Sequence, residues 1–301
     1  MADSIHSMRA TLLRLLSVSA SSSPSFFGTK TGTSSICASA FATPPPPLTP
    51  ATRGIATATR QLHMGWSDTW NDILSGGNSR WKITCDEAHK KALEHFERYV
   101  PAPAAASDDN GDAAVVSVFC PLAGDDPMVY NLWKRGYSVT TIDLVPAAVE
   151  AMRKQFAGEG SWIETADDKG TTTIWTHDSG RATLYVGDAL QSRPELRNAF
   201  DGVYDKDSFG ALGVEMRSGY CNRIAEYCKP GAKIYLEVKL KNKHEQVKDV
   251  GPPFSLKKEQ LMEKNNYGAS FEYVQSLGSV YDIAIPSAEQ TGHVLSKKES
   301  D

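Results

Sequence analysis

The chain has 301 residues, of which 41% are hydrophobic and 23% charged, and it carries a formal net charge of -4. That is an ordinary globular composition with room for one large domain or two small ones. The acidic balance speaks against nucleic acid as the main partner, and no run approaches the roughly 20 apolar residues needed to cross a bilayer.

The charge is unevenly placed. Five of the 32 bases but only one of the 36 acids fall in residues 1–60. Residues 1–62 are also rich in Ser, Thr and Ala and close on a proline run, so they cannot bury a core. They are expected to be a disordered organelle transit peptide. MRATLLRLLSVSA, as a basic amphipathic helix, puts the mitochondrion ahead of the plastid; without such an address the expected location is the cytoplasm. Five cysteines with no CxxC point to neither a metal site nor a disulfide framework.

Residues 63–301 form the predicted domain. Trp66 and Trp70 lie four apart on one helical face, Gly76 and Gly77 break that helix, and Trp81 follows. DEAHKKALEHFERYV resumes a helix with Ala88, Leu93 and Phe96 to one side. The three tryptophans suggest a helical N-terminal lid, and PAPAAASDDNGD (residues 101–112) is a linker.

Ala113 to Phe156 then reads as strand, turn, helix, strand, helix. AVVSVF is a buried, parallel-type strand. PLAGDD breaks it, MVYNLWKR forms a helix that Gly136 ends, and YSVTTIDL is a second strand with Asp143 near its end. PAAVEAMRKQF is a helix with Pro146 in its first turn and Val149, Met152 and Phe156 on one face. A glycine turn after the first strand and an acid closing the second suit a nucleoside, because the acid can take both ribose hydroxyls. Gly124 is the only glycine of that turn, which removes the main support for a dinucleotide.

TTTIWT with the turn DSG suggests a hairpin insertion. TLYVGDAL is a third core strand ending at Gly187 and Asp188, where an acid can reach an adenine amino group or cap the next turn. FDGVYDKDSFGAL is a fourth strand, with Asp205, Lys206, Asp207 and Ser208 gathered where it ends. VEMRSGYCNRIAEYCKPG is a helix stopped by Pro230 and Gly231, and AKIYLEVKL is the fifth strand. GPPFS leads into a helix SLKKEQLMEKN, and FEYVQSLGSVYDIAI and GHVLSKK form an antiparallel pair at the sheet edge. In an open α/β sheet the ligand crevice lies outside the carboxyl ends of the strands, so Gly124, Asp143, Asp188 and the Asp205–Ser208 cluster should converge.

From about Trp66 onward the chain resembles the thiopurine S-methyltransferase family, with its relatives that methylate thiols and halides. The resemblance rests on the tryptophans, VFCPLAGDDPM, RGYSVTTID, LYVGDAL, VYDKDSFGAL followed by EMR, KPG, and GPPFS. It implies an α/β, Rossmann-like class I methyltransferase: a mostly parallel seven-stranded sheet, helices on both faces and the helical lid. It implies further that Trp66 and Trp70 cover S-adenosylmethionine and that Leu122 and Gly124 pass their backbone along its methionine part. Asp143 would hold the ribose where the family commonly has Glu, Asp188 and Ala189 would sit by the adenine, and Lys206 stands where Arg is common. Trp81, Pro252 and Pro253 would line the acceptor pocket. Two departures stand out. The usual Cys-Gly-Lys is Ala123-Gly124-Asp125, and Lys206 lacks the planar fork of Arg.

The expected reaction is in-line methyl transfer to a small-molecule acceptor, namely a thiol, a thiopurine-like compound, a halide or a small sulfur acid, by a monomer without a metal. Positioning alone supplies on the order of 7–11 kcal/mol for a well-aligned pair. Lys206 would favour an anionic acceptor or bind the donor carboxylate. Asp205 or Asp207 would act as a base for a harder nucleophile. The alternative reading is a non-catalytic S-adenosylmethionine-binding module or structural subunit.

Overall fold

A computed structural model of the chain describes residues 71–73, 75, 85–103, 115–241, 251–283 and 287–299. The leader 1–62 and the lid tryptophans Trp66, Trp70 and Trp81 lie outside the described residues.

In chain order the elements are α1 (Asp86–Glu97), β1 (Ser117–Pro121), α2 (Met128–Lys134), β2 (Ser138–Asp143), α3 (Pro146–Gln155), β3 (Trp162–Ala166), β4 (Thr173–His177) and β5 (Ala182–Val186). There follow β6 (Phe200–Lys206), α4 (Ser208–Ala211), α5 (Val214–Tyr227), β7 (Cys228–Lys241), α6 (Lys258–Leu261), β8 (Phe271–Tyr281) and β9 (Ala288–Lys297). The strands form one sheet in the order β3-β4-β5-β2-β1-β6-β7-β9-β8. The five central strands, β5 through β7, pair in parallel.

Among the described residues the sheet has nine strands where seven were expected. The two extra strands are the hairpin insertion, β3 and β4, which does not stand apart from the sheet. β4 pairs antiparallel with β5 and so satisfies the backbone groups of an edge that a parallel core leaves open. At the far side β9 pairs antiparallel with β8, as expected, and it also pairs antiparallel with β7, which leaves β8 at the edge.

Successive strand residues alternate between two hydrophobic layers. Val118 and Cys120, Val139, Tyr204 and Tyr235 pack beneath α1, α2 and α3. Phe119, Ile142, Val203 and Leu236 pack beneath α5 with Phe209 and Leu261. Val149, Met152 and Phe156, read as one face of α3 and its end, are all buried in the first layer. Cys120 is a buried core residue whose thiol burial pushes up.

Two element boundaries depart from the sequence reading. The helix expected over SLKKEQLMEKN is the single turn of α6. Asn266 donates its side-chain amide to the carbonyl of Gln260 at 2.7 Å, which satisfies a group that a longer helix would have bonded. Helix α5 ends at Tyr227 and β7 starts at Cys228, before Pro230 and Gly231 are reached.

The order of the strands fixes the site. From β1 the chain moves outward to β2 and β5, then crosses back to β6 on the other side of β1. Loops that leave β1 in opposite directions open a crevice at the carboxyl ends of these strands.

Candidate functional site

A cleft occupies that crevice. Its lining comes from the turn after β1 (Leu122, Ala123, Gly124), the end of β2 (Asp143, Leu144, Val145), the loop after β5 (Asp188, Ala189, Leu190) and the end of β6 (Lys206, Asp207, Ser208). Ala211, Leu212, Met216 and Pro253 complete it. Its walls are mostly apolar and its few polar groups are all chain-terminal to strands, the usual form of a small-molecule site.

The β1 turn is tightly built. Leu122 has φ +45 and Gly124 φ +60, and the amide of Leu122 donates to the carbonyl of Ile142 at 2.9 Å. A left-handed leucine is an unusual conformation that neighbours must hold in place. The result brings the amide of Gly124 to Oδ2 of Asp143 at 3.0 Å, while Oδ1 accepts from the amide of Val145 at 2.9 Å. Each carboxylate oxygen has two lone pairs. The amide of Leu144 also pulls on the carboxylate, so the four lone pairs are shared among three amides and acceptor capacity is left for a ligand hydroxyl, at a residue only 7% exposed. Burial raises the Asp143 carboxyl above its ordinary range, against the pull of these amides. The pair of fixed acceptors fits the two adjacent hydroxyls of a ribose.

Asp188 has a mixed role. Its Oδ1 accepts from the amide of Leu190 at 2.8 Å and caps the turn, as one sequence reading allowed, while the residue still lines the cleft beside Ala189.

The Asp205–Ser208 cluster divides. Asp205 and Lys206 are successive residues of β6 and face opposite layers. Asp205 turns into the α5 layer, where it is fully buried and absent from the cleft lining. It accepts from the hydroxyls of Tyr220 at 2.7 Å and Tyr267 at 2.8 Å and from the amide of Ser208 at 3.0 Å. With its oxygens engaged and no route to the cleft it is a strut, and a base at this position does not fit.

Lys206 turns the other way and lines the cleft. Its Nζ lies 3.7 Å from Asp126 and 3.9 Å from Asp207. Burial pulls the ammonium down, but Asp126, Asp207 and Glu237 outweigh it and hold its pKa above the usual lysine range. Lys206 is therefore a fixed positive charge. Asp207, at φ +59, accepts from Nζ of Lys239 at 2.6 Å and Nε2 of Gln290 at 3.2 Å. Burial pushes its carboxyl up, yet Lys239 and Lys206 bring it below the usual carboxylate range, so it is a poor base. Ser208 ties its hydroxyl to the carbonyl of Pro121 at 2.7 Å and joins the ends of β1 and β6.

The GPPFS loop docks beside α4 and the end of β7. The amide of Phe254 donates to Gly210 O at 2.7 Å, and Lys241 Nζ donates to Pro253 O at 2.7 Å. Pro253 is buried against the cleft, whereas Pro252, expected in the acceptor pocket with it, is exposed and outside the lining.

Sequence reasoning missed several members. Asp126, Glu237 and Lys239, with the neutral amide of Gln290, form the polar ground under Lys206 and Asp207. The signal was present in IYLEVKL, where Glu237 and Lys239 interrupt an otherwise apolar strand on one face. Met216, in the first turn of α5, faces the cleft.

Comparison with known proteins bears on what this cleft holds. The family model for thiopurine S-methyltransferase (TPMT) matches residues 68–299. A thiopurine S-methyltransferase of Legionella pneumophila (strain Philadelphia 1) is 27% identical over 159 residues, which is 53% of this chain and 68% of that protein. One from Aliivibrio fischeri is 30% identical over 145 residues, 48% of this chain and 63% of its own. Among solved structures, a Burkholderia thailandensis 1,6-didemethyltoxoflavin-N1-methyltransferase with bound S-adenosylhomocysteine superposes with a TM-score of 0.53 at 15% identity, over 83% of this chain and 94% of that one. The [4+2]-cyclase SpnF reaches the same TM-score at 14% identity, over 77% and 93%. These two establish a shared Rossmann-like fold and nothing finer.

Proposed function

The chain belongs to the thiopurine S-methyltransferase family and is an S-adenosylmethionine-dependent methyltransferase, and we propose that it methylates the sulfur of a small-molecule thiol. The observation that carries this reading is the contrast, among the described residues, between a well-furnished donor end and an acceptor end without a base. Asp143 offers two pre-placed acceptors to a ribose, and the left-handed turn at Leu122 and Gly124 presents bare backbone beside it. Ala189 and Leu190 give an apolar seat for the adenine, with Asp188 at its edge. S-adenosylmethionine supplies a methyl group activated by its sulfonium.

At the other end the titratable groups on the cleft are Lys206, a retained cation, and Asp207, a depressed carboxyl already bonded to Lys239. Neither suits removal of a proton from a hard nucleophile at neutral pH. A thiol needs less help than a hydroxyl, because its thiolate is the nucleophile and a free thiol with a pKa of about 8.5 already supplies a small thiolate fraction at neutral pH. Lys206 stabilises that anion. Ala211, Leu212, Met216 and Pro253 exclude water and fix the approach.

The test is a methyl-transfer assay on the full chain with thiols, thiopurines, halides and small sulfur-containing acids. Turnover confined to sulfur acceptors is expected. Turnover of none, with S-adenosylmethionine still bound, would turn the reading to a binding module.

A further inference from the structure

Four titratable side chains line the cleft, and three of them are acids: Asp143, Asp188 and Asp207 stand against the single base Lys206. That balance suits the donor, in which a sulfonium and an ammonium outnumber one carboxylate. It is a harder condition for the acceptor, because a surplus of one sign of charge in a cleft repels a ligand of that sign. The acceptor end offers no compensation among the described residues. Ala211, Leu212, Met216 and Pro253 are apolar, and a charge buried against them without a partner is costly.

The one cation is itself held. Nζ of Lys206 lies 3.7 Å from Oδ2 of Asp126 and 3.9 Å from Oδ2 of Asp207. Asp207 is drawn closer to Nζ of Lys239, at 2.6 Å. Asp126 is the carboxylate that acts most strongly on Lys206. It is fixed where it stands, in the turn after β1. Its amide donates to the carbonyl of Ala123 at 3.0 Å, and its Oδ1 accepts from the amide of Met128, the first residue of α2, at 2.8 Å. Oδ2 is left toward Lys206. The two side chains are 7% and 11% exposed, so solvent ions screen the pair poorly. The pair joins the end of β6 to the turn after β1.

We propose that Asp126 is a positioning residue for Lys206 that sets the charge class of the acceptor: it holds the ammonium at the cleft and offsets its charge, so that the site takes thiols that arrive uncharged and rejects those with an anionic tail. The inference rests on the reading of the cleft as an S-methyltransferase site. One cation, shared with Asp126, serves the sulfur that ionises beside it. A second anion on the same acceptor finds no partner among the apolar residues around it.

The experiment separates this from the methyl-transfer reading by measuring binding. The full chain loaded with S-adenosylhomocysteine is titrated calorimetrically at neutral pH with 3-mercaptopropionate and with its neutral, near-isosteric amide, 3-mercaptopropionamide. The amide is expected to bind at least fivefold more tightly. Asp126→Asn removes the charge and keeps an oxygen for the amide of Met128. In that variant the acid should gain tenfold or more while the amide changes less than threefold, a gain that a merely structural role would not produce. Asp126→Glu keeps the charge and should keep the preference for the amide. S-adenosylhomocysteine affinity and the melting temperature report folding. Equal or tighter binding of the acid by the wild-type chain overturns the proposal, and that comparison stands even if a variant fails to fold. So does an acid-to-amide ratio that stays unchanged in Asp126→Asn, or one that moves as far in Asp126→Glu. A shifted ratio with no methyl transfer to either thiol would retain Asp126's role and sink the reading it rests on; transfer to both thiols without discrimination would do the reverse.

Discussion

Two aspartates separated by burial and partners show how far a residue type falls short of a role. Asp143 lines the cleft with acceptor capacity left beside its backbone amides, whereas Asp205 spends its oxygens on Tyr220, Tyr267 and Ser208 away from it. Asp143→Ala is expected to weaken S-adenosylmethionine binding by tenfold or more, since two hydrogen bonds of about 1 kcal/mol each are lost. Unchanged affinity by calorimetry would remove the ribose assignment. Asp205→Asn is expected to act on stability instead. Breaking a buried hydrogen-bond cluster costs about 1–3 kcal/mol, visible as a lower melting temperature. The pH profile of kcat/KM should keep its shape, and loss of its acidic limb would restore Asp205 as a base.

Among the elements, β6 and α1 meet at a glycine that the sequence did not explain. A Cβ at Gly202 would stand 2.8 Å from both Cγ atoms of Val100, just past α1, whose carbonyl also accepts from the hydroxyl of Tyr137 at 2.6 Å. In a strand, alanine ordinarily gains about 0.5–1 kcal/mol over glycine. Overpacking a filled core costs about 1–3 kcal/mol, so the second effect wins. Gly202→Ala should lower the urea midpoint; a raised midpoint would mean that α1 yields freely. The parallel strands were legible because they carry continuous apolar runs such as VFC and IYL, and the turn after β1 because Gly124 and Asp143 sit where a nucleoside site needs them. The short α6 was not, because its stop is a side-chain bond from Asn266 that no periodicity reveals. Nor was the parting of Asp205 from Lys206. It follows from alternation along β6, which the cluster's proximity in sequence concealed.

At the scale of the whole molecule, the ground beneath the cleft ties β6, β7, β8 and β9 together through one buried acid. Glu237 pairs in register with Lys206 and is fully buried. Its Oε1 accepts from the hydroxyl of Tyr235 at 2.7 Å, and Oε2 accepts from the hydroxyl of Tyr281 and from Nε2 of Gln290 at 3.4 Å. Burial pushes its carboxyl from 4.5 to about 7; Lys206 and the two tyrosines pull it down, and Asp207 pushes it up. A carboxyl raised on folding binds its proton more tightly in the native state. Its contribution is then present in full below pH 4.5 and is lost as pH rises toward 7, by about 3 kcal/mol in total. His293 works in the opposite sense. Burial lowers it from 6.5 to about 4, so the chain loses stability on that account as pH falls through the same interval. The two effects cancel in the wild-type curve and separate only by difference. Glu237→Gln preserves shape and hydrogen bonding but cannot titrate. The stability of the wild-type chain minus that of Glu237→Gln, from urea unfolding at fixed temperature, should decline between pH 4.5 and 7 and be level on either side. A flat difference would show that Glu237 ionises as easily in the folded chain as in the unfolded one. The network under Lys206 would then be a permanent anion at every working pH, and no proton would be held beneath the acceptor site.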